Sequence, residues 1–456
     1  MRNRTALVLA GLLLAGAATA AADFYLHSTL DLSADFGLLG NNPNVVTSDG
    51  TYAYIGGYSA AVDPTDIGIL KINLANPTDK MVLAGGTQQV SQFRYYGGLF
   101  VRNGILYALC DRPLDNAVAN TNVRAIDTAT GNLVATFDGD AGNGDGIVFQ
   151  PAGMTAPALG GLAFDPGFGG SGGGVSIIGY GTGRRVLLDI NDGTTIHDTS
   201  DGMPVSNPNP PCTVADSSAY RDHVYDAAGN IYLRRSNQVQ VAYRSGPNAI
   251  SGYGYLTDEL NADGTPRVGC GDGQPVGTRV APFVIDQNIE FIPASSGATD
   301  QDLLVFNDRP TTSAGKPFLT TVLLITTTGA LPSPAVQFLK GDGTPLTTAE
   351  VPDGVGAYDF HYDAAGDRLL VLDFGARRLY VFGTSPIVTG CAGDMNCSGA
   401  VDFDDIDRFV EALSYPGGAG WPYPDCPWTN GDCNGDGQVN FDDIDPFVAR
   451  IGATCP

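Results

Sequence analysis

The sequence predicts an all-β body followed by a small all-α module, and three observations carry that prediction. Between Asp23 and Phe382, short β-rich runs alternate with Gly, Asn and Asp, without a long amphipathic helix pattern. One turn-then-strand unit recurs along that stretch. At about residue 390 the composition changes to Asp-rich segments with helical spacing, and these segments are duplicated.

At the N-terminus, Arg2 and Arg4 precede an apolar run from Ala6 to Ala18, and Ala18-Thr19-Ala20 offers an A-x-A cleavage site. Residues 1–20 therefore read as a secretory signal peptide. The run is too short to span about 30 Å of hydrocarbon. No later apolar run approaches 18 residues, so no membrane span is expected. The mature chain, from about Ala21, is expected to be secreted to an extracellular or periplasmic space. Cysteines suit that oxidising compartment: Cys110, Cys212 and Cys270 lie in the body, and Cys391, Cys397, Cys426, Cys433 and Cys455 crowd the last 66 residues. With 24 Lys+Arg against 49 Asp+Glu the net charge is −25. Such a field repels polyanions, which excludes nucleic acid and anionic membrane surfaces as partners.

Six units follow. Each has a turn and then a strand: Asp49-Gly50 before TYAYIGGY, Asn103-Gly104 before ILYALC, Gly173-Gly174 before VSIIGY, Gly229-Asn230 before IYLRR, Asp302 before LLVFND, and Gly366-Asp367 before RLLVLDF. A β-rich run precedes each unit, as in NVVTS or YDFHYDAAG, and another follows, as in IGILKINL or RLYVF. Leu133 to Phe137 (LVATF) reads as a fourth strand. The turns recur about every 63 residues, above the usual 40–50 for one blade, and insertions at 139–156 and 198–217 account for the excess. Tyr225-Asp-Ala-Ala-Gly229 recurs almost verbatim as Tyr362-Asp-Ala-Ala-Gly366.

A four-stranded meander cannot bury both of its faces alone, and radial stacking around an axis solves that problem. Residues 21–390 are therefore expected to form a six-bladed β-propeller, with seven blades as the alternative count and paired β-sandwiches as the alternative architecture. The last unit supplies three strands before a boundary at 383–390, while Phe24 to Leu32 stands unpaired ahead of the first. That N-terminal strand is expected to complete the last blade and clasp the ring.

The body carries no catalytic constellation. Gly169-Gly-Ser171-Gly-Gly173 and Gly167-Phe-Gly169-Gly-Ser-Gly172 match nucleophile-elbow and dinucleotide patterns formally, but no helix follows, so both read as a loop. Of the four histidines, His27, His197, His223 and His361, the last two lie on equivalent early strands that line a propeller's channel. The simpler reading is a hydrogen-bonded strand histidine. Asp222, Asp226, Asp359 and Asp363 either line a binding face or serve as turn residues, and the turn role is preferred.

The C-terminal segment is the informative one. Residues 394–413 and 432–451 are identical at eleven of 20 positions, and each contains D-x-N-x-[DS]-G-x-V-[DN]-x-x-D. Calcium prefers six to eight oxygens, and a 12-residue loop delivers them from positions 1, 3, 5, 7, 9 and 12. In the first loop these are Asp394, Asn396, Ser398, the Ala400 carbonyl, Asp402 and Asp405. In the second they are Asp432, Asn434, Asp436, the Gln438 carbonyl, Asn440 and Asp443. Two Ca²⁺ ions are expected, the first held more weakly because Ser398 replaces a carboxylate. Gly399 and Gly437 stand at the sharp turn, and Val401 and Val439 suit a short β-contact between the loops. After each loop, Ile406, Phe409, Val410 and Leu413, then Ile444, Phe447, Val448 and Ile451, form a stripe expected to be a common helix seam. Cys391 and Cys455 are placed to clasp the module's ends, and the remaining connectivity stays open.

With no helix before the first loop and Asp at position 12, residues 391–456 resemble the type I dockerin module of secreted polysaccharide-degrading assemblies. The resemblance implies calcium-coupled folding and docking to a cohesin-like protein module. Loop positions 10 and 11, often Ser-Thr in that family, are Phe403-Asp404 and Phe441-Asp442 here. The expected function is that of a secreted calcium-binding protein. Its dockerin-like module attaches a propeller cargo to a cohesin-like or cell-surface partner, and the propeller binds a glycan or a protein. The alternative is a propeller enzyme, a glycoside hydrolase or lyase in polysaccharide catabolism, which would need paired carboxylates in the channel mouth.

Overall fold

The computed structural model describes residues 23–455 other than 40–41, 59–67, 87–94, 112–121, 140–143, 150–158, 170–172, 180–184, 200–219, 236–237, 248, 258–287, 295, 297–299, 308–321, 352–356, 388–390 and 424–425. The expected signal peptide at 1–20, Cys212, Cys270 and most of the 198–217 insertion lie outside the described residues.

The body is a six-bladed β-propeller. Blade 1 runs Asn42–Ser48, Tyr52–Tyr58, Ile69–Asn73 and Lys80–Val82 from the axis outwards. Blade 2 runs Tyr95–Arg102, Ile105–Asp111, Asn122–Asp127 and Ile147–Phe149. Blade 3 is Leu159–Asp165, Gly174–Gly179, Arg185–Asp189 and Thr195–Thr199. Blade 4 is Tyr220–Tyr225, Ile231–Arg235, Gln238–Gly246 and Ala249–Tyr255. Blade 5 shows three strands among the described residues, Ile289–Ile292, Leu303–Asn307 and Val322–Thr326. Blade 6 begins with Ala357–Asp363, Arg368–Asp373 and Arg378–Gly383. Each innermost strand packs against the next, and that of blade 6 packs back on that of blade 1. Six blades therefore close the ring.

Period-2 alternation explains how the blades stack. In blade 6, Leu369 and Val371 face Leu303 and Val305 of blade 5, while the intervening Leu370 and Leu372 face Val46 and Ile55 of blade 1. Each of the six junctions holds such an apolar cluster. Both faces of every sheet are thereby buried.

The N-terminal strand Phe24–Asp31 is the outer strand of blade 6, antiparallel to Arg378–Gly383, as the clasp hypothesis requires. A bulge between Leu26 and Ser28 changes its phase. Phe24 and Leu26 consequently pack into the junction with blade 5, and Leu30 into the junction with blade 1. Outside it lies a strand that the sequence pattern did not reveal, Phe338–Lys340, which pairs in parallel with Phe24–Leu26.

The expected fourth strand at Leu133 to Phe137 is corrected. Leu133 makes only an isolated bridge to Ile126, and the chain then bends, with Phe137 N–H donating to the Val134 carbonyl at 2.9 Å. That bend drops Phe137 into the junction between blades 2 and 3. Ile147–Phe149 takes the outer position instead.

Candidate functional site

The innermost strands surround a channel cavity of about 200 Å³, lined from all six blades. Two equivalent aspartates project there. The Asp359 carboxylate of blade 6 accepts the Val46 N–H of blade 1 at 2.5 Å and the Phe360 N–H at 2.8 Å. The Asp222 carboxylate of blade 4 accepts the Ile289 N–H of blade 5 at 3.0 Å. Both are main-chain clamps between neighbouring blades. The preferred turn reading holds instead for Asp226, which binds the Asn230 main chain, and for Asp363, which binds Ala365 and Gly366. For Asp222 and Asp359 that reading is corrected, because they precede the turns by four residues and face the axis.

Burial pushes the Asp359 carboxyl up to about 7. Burial, and then the charge of Asp359, hold Asp222 well above the ordinary carboxylate range. In the same cavity His361 Nδ1 stands 3.4 Å from the Glu290 carboxylate. Burial disfavours its charge, but Glu290 outweighs this and raises the imidazole. His223 differs. The repeat aligns His361 with Val224, so His223 turns into the junction between blades 3 and 4 rather than matching it. There its Nε2 lies 2.8 Å from Ser176 Oγ, and burial, reinforced by Arg185, lowers its pKa to about 3. The hydrogen-bonded reading of His223 is thus correct.

One consequence is measurable. Between about pH 4 and pH 7 the folded chain holds the Asp359 proton more tightly than the unfolded chain does, so this group's contribution to stability falls as pH rises. Asp359→Asn lacks that titration. Its stability relative to the wild type should improve by on the order of 2–4 kcal/mol from pH 4 to pH 8. Urea unfolding at both pH values reads the gap, and a constant gap would show an ordinary carboxyl.

In the C-terminal module the two predicted loops share one wiring. Asp394 accepts Ser398 and Gly399 N–H at 2.9 Å, and Asp432 accepts Asp436 and Gly437 N–H at 3.0 and 2.7 Å. Asn396 and Asn434 accept Ser398 and Asp436 N–H. Asp405 accepts Asn396 and Asp402 N–H, and Asp443 accepts Asn434 and Asn440 N–H. Asp402 and Asn440 cap the following turns in capping boxes. The Ala400 carbonyl accepts Ser398 Oγ, and Gln438 N–H donates to Asp436. Gly399 and Gly437 adopt φ of +87° and +84°, the left-handed turn for which glycine stands there. Among the described residues no three His, Cys, Asp or Glu side chains converge on one point. Carboxylates are instead interleaved with amide, hydroxyl and carbonyl oxygens. Asp394 and Asp405 are fully buried, and burial, then the Asp394 charge, raise the Asp405 carboxyl.

Disulfides join Cys391 to Cys455, as placed from the sequence, and Cys397 to Cys426. Cys433 is a buried thiol that burial pushes up to about 11. The expected β-contact between the loops is replaced by one between the first loop and the C-terminal tail. Val401 N–H donates to the Ala453 carbonyl and Gly452 N–H to the Val401 carbonyl, at 2.8 and 2.7 Å, where the Cys391–Cys455 bond brings the tail. The side chains of Val401 and Val439 are both in the module's core.

The helices Ile406–Ala412 and Ile444–Arg450 follow the loops. Their apolar stripe divides, which corrects the single seam. Phe409 and Phe447 stack with centroids 4.3 Å apart at the core. Ile406, Val410, Ile444 and Val448 point outwards, beside Phe403 and Phe441, which are 74% and 76% exposed. A stripe at least 100° wide on so short a helix has one edge against the core and the other in solvent.

No protein-family model matches the chain, and neither does any curated protein. Among solved structures, similar ones include auxiliary nutrient binding proteins from Bacteroides thetaiotaomicron VPI-5482 and Bacteroides ovatus ATCC 8483. Each is 12% identical with a TM-score of 0.44, and the alignments cover 75% and 79% of this chain and 69% and 70% of theirs. The Neurospora crassa Pan2 WD40 domain is 9% identical with a TM-score of 0.40, over 80% of this chain and 96% of that one. Overlaps this loose carry no functional argument. Strand topology defines the class, a six-bladed propeller with a small C-terminal helical region. Among the described residues no helix is long and apolar enough to cross a membrane.

Proposed function

We propose that the chain is an exported adaptor whose C-terminal module, residues 391–456, folds around two Ca²⁺ ions and docks on a cohesin-like protein, carrying the propeller as a ligand-binding cargo. The observation that carries the reading is the duplicated outward face: Phe403, Ile406 and Val410 in one copy, Phe441, Ile444 and Val448 in the other. Solvated apolar side chains in one pattern, twice, mark a contact surface. Calcium fits the loops behind it. Two enclosed, mutually repelling carboxylates, Asp394 and Asp405, are relieved by a divalent cation, and the mixed oxygen donors suit a hard one. Bound there, the ion supplies folding free energy, and the chain's own residues orient the helices that present the face.

The test is surface plasmon resonance of the mature chain on purified cohesin modules, in calcium and in chelator. Calcium-dependent binding is expected, and Phe403→Ser with Phe441→Ser should weaken it at least about 100-fold while leaving unfolding unchanged. Binding that persists in chelator, or none in calcium, refutes the reading. The enzyme alternative would use Asp359, protonated near neutral pH. Both channel aspartates, however, are committed to main-chain N–H groups, so we read them as clamps.

A further inference from the structure

The two calcium loops differ at their fourth position. In the second loop Gly435 stands there with a φ of +81°. In the first loop the residue is Cys397, and it adopts the same left-handed turn, with a φ of +55°. Residues with a Cβ seldom take that conformation, and they persist in it only when their surroundings impose it. Here the constraint is covalent. Cys397 is bonded to Cys426, in the connector between the two copies, so its side chain is fixed from outside the loop. The bond is also packed into the site. Asn430 Nδ2 donates to the Asp394 carbonyl at 2.8 Å and stands 3.4 and 3.5 Å from the sulfurs of Cys397 and Cys426. Cys397 itself lies between Asn396 and Ser398, two of the expected ligands.

We propose that the Cys397–Cys426 disulfide is the positioning element of the first calcium site. It holds that loop in the turn which glycine gives the second loop unaided, so the first site is competent only when the bond is formed and the second in either state. The proposal rests on the calcium part of the functional reading. The first loop has the greater need of a fixed frame, since Ser398 stands where the second has Asp436 and one carboxylate fewer draws the ion. The bond forms by exchange with an external disulfide. The thiolate of one cysteine attacks it, and the second cysteine then displaces the mixed disulfide. Two electrons and the two cysteine protons leave on the external pair, now a pair of thiols. A dithiol reductant runs the same exchange backwards. The module accordingly holds two ions when oxidised and one when reduced.

The experiment is calcium calorimetry on the mature full-length chain, with Asp432→Ala to isolate the first site and Asp394→Ala to isolate the second. In the first background, Cys397→Ser with Cys426→Ser should weaken calcium binding at least about tenfold. Cys397→Gly with Cys426→Ser should stay within about threefold of the disulfide-bonded chain, because glycine takes the turn freely. In the second background both pairs should leave the affinity unchanged. Dithiothreitol should weaken the first site of the disulfide-bonded chain but not that of the glycine variant; equal weakening would assign the effect to Cys391–Cys455 and overturn the proposal. Equal loss in the serine and glycine variants, misfolding included, would make the bond a general tether and overturn it too. If the unsubstituted chain takes up no calcium, the calcium reading falls and this inference with it. Two calcium sites that are both indifferent to the bond sink this inference alone.

Discussion

Chelating calcium from the mature chain is expected to unfold the C-terminal helices while the propeller stays intact. Both tryptophans of the protein, Trp421 and Trp428, lie in the module, so their emission reports on it alone. Trp428 is buried, with its indole N–H donating to the Ala412 carbonyl at the end of the first helix at 3.0 Å. Asn430 Nδ2, two residues on, donates to the Asp394 carbonyl of the first loop at 2.8 Å. Loss of the loop therefore releases the helix end and exposes the indole. At calcium a thousandfold above its dissociation constant the ion stabilises the folded module by about 4 kcal/mol. Removing it leaves charges of 12 acidic against 2 basic residues in the last 66 positions. The expected readings are a red-shifted emission, a loss of helical circular dichroism, and an unaltered β-sheet transition on heating. Asp394→Ala with Asp432→Ala should reproduce them in calcium. Emission and dichroism indifferent to chelator would refute calcium-coupled folding.

Deleting residues 23–32 should have the larger effect on the propeller. Phe24, Leu30 and Leu32 are at most 4% exposed, and burial of side chains of this size contributes about 1.5–3 kcal/mol each. The deletion also strips the outer edge of Arg378–Gly383 and removes the partner of Phe338–Lys340. Against a total stability of about 5–15 kcal/mol, that loss should leave the protein unfolded or aggregated. Leu30→Ala, costing about 2–5 kcal/mol, should remain folded with a lower denaturation midpoint. A soluble deletion variant with a native denaturation midpoint would show that blade 6 closes by other means.

What could be read from the sequence was local or was implied by an unmet need. The turns at Asn103-Gly104 and Gly229-Asn230 announce themselves through residues that tolerate positive φ, and Asn103, Gly104 and Gly229 all adopt it. The clasp followed because a three-stranded last blade and an unpaired first strand answer one another. Short pieces escaped, since three residues at Ile147–Phe149 or Phe338–Lys340 show no period. The aspartates were misjudged for a chemical reason. A carboxylate that caps a turn and one that clamps a neighbouring blade are the same residue, separated only by four positions along the strand. Helical spacing likewise located the apolar stripe of the module, but spacing does not say which edge finds the core. The Cys397–Cys426 bond depends on how the connector folds back and had no signature in the spacing.

The clasp also sets an order of events. Thr29, on the first strand of the described chain, pairs with Tyr380, about 350 residues later. No nascent chain shorter than that can close the ring, and a contact of such separation forms slowly. A product truncated anywhere before blade 6 therefore keeps its first strand as an open, unpaired edge. The arrangement acts as a completeness check, in which only a chain made through blade 6 acquires a finished final blade.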